Sequence, residues 1–93
     1  MTVRVFRSRR AGGNIEEIAD YLAEFSPPAA QRFLQALERA WQQLSEFPNS
    51  GAPGIRPGTR RLIVGDYILS YRRRDAGIEI FAVRHASRRD ARL

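Results

Sequence analysis

The stretch that most limits the fold is Ser26-Pro27-Pro28, because it separates two apolar repeats of helical period by almost nothing. On its N-terminal side Ile15, Ile18, Ala19, Leu22 and Phe25 recur at three-to-four spacing, while Glu16, Glu17, Asp20 and Glu24 fall on the opposite face. On its C-terminal side Ala30, Phe33, Leu34, Leu37, Ala40, Trp41, Leu44 and Phe47 repeat in the same way until Pro48. Proline is tolerated in the first turn of a helix and not in its interior, so this tripeptide ends one helix and begins the next. A connection this short makes the two helices an antiparallel hairpin with an apolar face to bury.

The rest of the chain must supply the surface that buries it. "TVRVFR" alternates Val3 and Val5 against Arg4 and Phe6 and reads as a short first strand. Gly12 and Gly13 break it. Asn14, with Glu17 three residues on, matches a capping box, which predicts that the first helix starts there with acids in its first turns, where the helix dipole favours them. Beyond Pro48, "PNSGAPGIRPG" has the composition of a loop. "TRRLIV" and "YILSYR" are then separated only by Gly65 and Asp66, a hairpin signal of the Gly-first type.

"RDAG" is the next turn and "IEIFAVR" the last strand, with Ile78, Ile80 and Ala82 expected on one face and Glu79, Phe81 and Val83 on the other. Tyr67, Leu69 and Tyr71 alternate against Ile68, Ser70 and Arg72, which assigns the tyrosines to the core with their hydroxyls at its edge. The prediction is an α+β fold of order β-α-α-β-β-β, a helical hairpin packed on a small antiparallel sheet. Residues 1–93 form a single domain, a length that suits one modest core.

Without cysteine, the chain has neither a disulfide framework nor a thiolate metal site. No apolar run approaches the roughly 20 residues of a membrane span, and the first residues lack the apolar core of a secretory signal, so the cytoplasm is the expected address. His85 is the only histidine, the acids show no metal-ligand spacing, and no nucleophile elbow is present; no metal and no cofactor is expected.

The net charge of +6 is unevenly placed. Residues 1–54 carry six arginines against six acids, whereas residues 55–93 carry ten against four. Every basic side chain is arginine, whose guanidinium grips carboxylate and phosphate in a bidentate way. Arg84, His85, Arg88 and Arg89 close the last strand and enter the tail, and Arg60 and Arg61 open the neighbouring meander. Together they are read as one basic patch. Arginines at a sheet margin also guard against edge-to-edge pairing, and the Arg-rich tail lacks the interleaved aromatics of a nucleic-acid binder.

"IEEIADYLAEFSPPAAQRFLQALERAWQQLSEFPNSG" and "RRLIVGDYILSYRRRDAGIEIFAVRHASRRD" together resemble the ParE toxins of the ParE/RelE toxin superfamily, from about Phe6 to Asp90 and in the same order of elements. The resemblance implies a small bacterial toxin encoded beside an antitoxin whose acidic tail wraps it, giving a hetero-oligomer. ParE-like members poison DNA gyrase, and RelE-like members cut messenger RNA on the ribosome. RelE-like chains typically place a catalytic arginine after the first tyrosine of the "GDYILSY" strand and a tyrosine or histidine in the tail. Here Ile68 follows Tyr67, and "SRRDARL" offers neither.

"VRHASRRD" instead resembles the ParE-type ending, with His85 and Arg88 at matched positions and Arg60 or Arg61 matching the basic residue that opens the second strand. The expectation is a toxin that binds gyrase without catalysis and meets nucleic acid only through that target, away from any membrane. Arg60, Arg61, Arg84, His85, Arg88 and Arg89 would form its target- or antitoxin-binding surface. The alternative is a ribosome-dependent endoribonuclease using His85 as its base, since strand cleavage needs a base and an acid besides cations.

Overall fold

In a computed structural model, residues 2–87 are described. The elements are β1 (Val5–Arg7), α1 (Arg9–Phe25), α2 (Pro27–Glu46), β2 (Ala52–Pro53), β3 (Thr59–Val64), β4 (Tyr67–Arg74) and β5 (Gly77–His85). They build one five-stranded sheet of order β1-β5-β4-β3-β2. The β3-β4-β5 meander is antiparallel, as is the two-residue edge strand β2, while β1 runs parallel to β5. This is the expected α+β fold with a helical hairpin on a sheet. The parallel first strand and the small edge strand complete it.

The hairpin needs no loop because Ser26 serves both helices. Its N–H donates to Leu22 O at 2.8 Å as the last bond of α1, and its hydroxyl accepts from Ala29 N at 3.3 Å as the cap of α2. Gly65, at φ +62, is in the left-handed region that the Gly-first turn between β3 and β4 requires. The apolar faces of the helices close on the inner face of the meander. Leu44, Leu69, Tyr71, Ile78 and Ile80 are fully buried there, and each such side chain contributes about 1.5–3 kcal/mol by leaving water. Phe33, Leu37, Ala40 and Leu44 form the buried stripe of α2, whereas Leu34, a step of about 100° round the helix from Phe33, is exposed.

Two expectations are corrected. Helix α1 begins at Arg9, well before Asn14, because Ser8 is its cap and accepts from Ala11 N at 3.1 Å. Gly12 and Gly13 then lie inside the helix, each at a cost near 1 kcal/mol relative to alanine, offset by the cap and the full burial of Ala11. Glu16 and Glu17 accordingly miss the first turn.

The second correction concerns β5. Ser70 pairs with Ala82 and Tyr71 with Ile80, so Phe81 is an extra residue, a bulge that reverses the alternation. Val83 therefore faces the helices, while Ala82, though buried, lies on the other side of the sheet. Freed from strand pairing beyond β1, the Val83 N–H donates to Asn14 Oδ1 at 3.1 Å, which is the task of an asparagine that does not cap.

Candidate binding surface

Residues paired across a sheet share a face, so the register sorts the basic side chains. Tyr67, Leu69, Tyr71, Ile78, Ile80 and Val83 face the helices. The outer face carries three rows: Ile63, Ile68 and Arg84; Arg61, Ser70 and Ala82; Thr59, Arg72 and Glu79. Arg61 and Arg84 thus share that face, with Cα atoms about 12 Å apart from strand spacing and rise.

Charge on the outer face is partly satisfied within the chain. Glu79 takes the Nε of Arg72 at 2.9 Å and that of Arg74 at 3.1 Å. The Arg72 hydrogen bond, aided by the nearby Arg74 charge, holds the Glu79 carboxyl below its ordinary range against the opposing effect of burial. Arg72 also lies over the Phe81 ring at 5.0 Å, and Arg4 over Phe6 at 5.1 Å, so cations already cover both rings. Arg84 differs: its Nε is buried and meets no hydrogen-bond partner among the described residues.

Arg60 is separated from this set. It pairs with Tyr71 on the helix side, and its guanidinium donates to Gly51 O at 2.8 Å and Asn49 O at 3.4 Å. The Tyr71 hydroxyl accepts from Gly51 N at 3.0 Å and donates to Pro48 O at 2.9 Å. A Cβ at Gly51 would lie 2.6 Å from the Arg61 carbonyl and 2.8 Å from the Tyr71 hydroxyl, so only glycine fits. Arg60 and Tyr71 together clamp the loop after α2.

His85 also turns to the helix side, opposite Tyr67, whose ring it meets edge-on at 5.3 Å. Its Nδ1 accepts from Ser87 N at 3.2 Å and lies 2.7 Å from the Ser87 hydroxyl. An amide only donates, so the neutral imidazole carries its proton on Nε2. The histidine and the outer-face arginines are therefore on opposite sides of the sheet. Arg88 and Arg89 lie outside the described residues. Among the described residues no group of three or more His, Cys, Asp or Glu could hold a metal ion, and no helix is long and apolar enough to cross a membrane.

A second feature went unread in the sequence. Between β1 and the helices runs a groove of about 560 Å³ lined by Val3, Val5, Leu34 and Trp41 together with Arg4 and Arg7. Glu38 is the acid in its lining. The Trp41 indole N–H donates to Val5 O at 3.2 Å and Val3 N to Ser45 O at 2.9 Å, fixing the strand along α2. The apolar repeat of α2 is wider than one hairpin seam needs, and that width was the available signal.

With this geometry in view, the chain can be set beside known proteins. The toxin RelE2 of Caulobacter vibrioides is 34% identical over 79 residues, covering 85% of this chain and 90% of that protein. Y4kP of Sinorhizobium fredii is 38% identical over 86 residues, 89% of this chain and 88% of its own. A solved structure described as the chromosomal ParDE TA system from P. aeruginosa superposes with a TM-score of 0.76 at 22% identity, over 90% of this chain and 96% of that one, which shows the same fold. The family described as the ParE toxin of the type II toxin-antitoxin system parDE matches residues 5–90, nearly the whole chain, and the chain belongs to that family within the ParE/RelE toxin superfamily.

Proposed function

We propose that this toxin acts in the cytoplasm by holding DNA gyrase rather than by cutting RNA, and that an acidic antitoxin encoded with it neutralises it. The observation that carries the reading is the divergence of the basic side chains from the imidazole. Arg61 and Arg84 are on the outer face of the sheet, His85 is on the other, and the Nδ1 of His85 is engaged by Ser87. Cleavage of a phosphodiester needs a base, an acid and cations converging on one phosphate. A surface of diverging cations suits binding instead.

For the antitoxin, the groove along β1 offers apolar lining from Val3, Val5, Leu34 and Trp41 beside Arg4 and Arg7. That combination suits a segment of alternating acidic and apolar residues, which orders as it binds. Its affinity should fall with added salt to the extent that the arginines contribute.

The similarity to a protein named toxin RelE2 favours a second reading, a ribosome-dependent endoribonuclease with His85 as base. Two assays on the purified chain separate them: DNA supercoiling by gyrase, and transcript integrity in a translating extract. Loss of supercoiling with intact transcripts supports binding to gyrase. Cut transcripts, with cleavage abolished by His85→Ala and gyrase unaffected, support the nuclease.

A further inference from the structure

The outer face of the sheet has a composition that the fold does not explain. Ile63 is 64% exposed near the C-terminal end of β3, beside Ile68 on β4, although a solvated sheet face ordinarily carries polar side chains. Arg84 closes the same row and Arg61 stands in the next. Ser70 and Ala82, both short, occupy the middle and are covered by the longer side chains around them. Among the described residues of these rows the carboxylate is Glu79, already shared by Arg72 and Arg74, and neither Arg61 nor Arg84 has an ion pair there. The buried Nε of Arg84 marks a donor for which the described residues supply no acceptor.

We propose that this face is the docking surface for the toxin's protein target, taking a segment with a branched or aromatic apolar side chain flanked by carboxylates about 12 Å apart, the spacing of Arg61 and Arg84. A polypeptide fits better than a nucleic acid for two reasons. Phosphates gain nothing from Ile63 and Ile68, and the aromatic rings a base would stack on, Phe81 and Phe6, lie beneath Arg72 and Arg4. The target is assigned here rather than the antitoxin because the groove along β1, on the helix side, is the better match for an antitoxin segment. That assignment rests on the preceding reading of the groove.

The test compares the wild-type chain with an Arg61→Gln/Ile63→Ser double variant, both exposed positions, and with Arg84→Gln. Thermal melting reports folding, induction in bacteria reports growth arrest, titration into gyrase reports supercoiling, and duplex DNA and RNA probes report nucleic-acid binding. The expected result is melting within a few degrees of wild type, relief of growth arrest, and roughly tenfold more variant for half-inhibition of gyrase. Variants as potent as the wild type overturn the inference. So does a loss of arrest that tracks the loss of DNA or RNA retention seen without any protein target. A wild-type chain that arrests growth without slowing gyrase overturns the gyrase reading alone, since the growth and nucleic-acid arms still decide the face.

Discussion

Along β4, Leu69 and Tyr71 point into the helical hairpin and are closed off from water, whereas Ile68 and Arg72, one residue away in each case, open onto the side without helices. The inner set packs against Phe33, Leu37 and Leu44, so its members are chosen by volume and shape. The outer set is a mixture of short, apolar and cationic side chains whose charges are only partly matched. A face that stability does not dictate is free to be shaped by a partner. The difference between the two faces can be broken or sharpened by substitution.

The largest effect belongs inside. Leu69→Ala should cost about 2–5 kcal/mol in urea unfolding, because Leu69 is fully buried between the helices and the sheet. Tyr71→Phe keeps the ring and removes only the hydroxyl, leaving Gly51 N and Pro48 O without their partner. The expected loss is about 1–3 kcal/mol, with faster protease cutting in the loop after α2. Asn14→Ala removes the acceptor of Val83 N and should cost about 1–2 kcal/mol, with faster amide exchange at Val83.

Asn14 also shows how far the sequence could be read. The helical hairpin was legible because Ser26-Pro27-Pro28 is local chemistry, and so was the meander, because Gly65-Asp66 and the alternation of Tyr67 to Arg72 are local too. The start of α1 is misplaced because Asn14 with Glu17 has the local pattern of a cap, whereas Ser8 caps the helix and Asn14 is engaged by the Val83 N–H, a contact set by tertiary packing. The bulge at Phe81 left a trace in the unbroken apolar run Ile80 to Val83, where no alternation is possible, but which residue would be extra depends on the pairing with β4. For the surface, the residue types were legible and their grouping was not. Arg60 and Arg61 are sequence neighbours sent to opposite faces, one to clamp a loop and one to solvent.

On the outer face the expected effects are smaller. Glu79→Gln should destabilise by about 1 kcal/mol or less at neutral pH, since its arginine partners are 39% and 52% exposed and screened by water. Because the folded-state carboxyl is held below its ordinary range, this contribution is complete above that range and is lost as pH falls through the lowered value. Melting curves should accordingly show a gap between wild type and Glu79→Gln that closes in acid. Ile63→Ser should be smallest, within about 0.5 kcal/mol of wild type, as befits an exposed side chain. If it destabilises as much as Leu69→Ala, the outer face is a second core and the distinction between the faces fails.

The most direct measurement of which face holds the target is cross-saturation from gyrase onto the isoleucine methyl groups of the labelled chain. Saturation at Ile63 and Ile68, with Ile15 and Ile80 on the helix side unaffected, is the predicted result. Saturation confined to Ile15 and Ile18, or absent from every methyl, would contradict it.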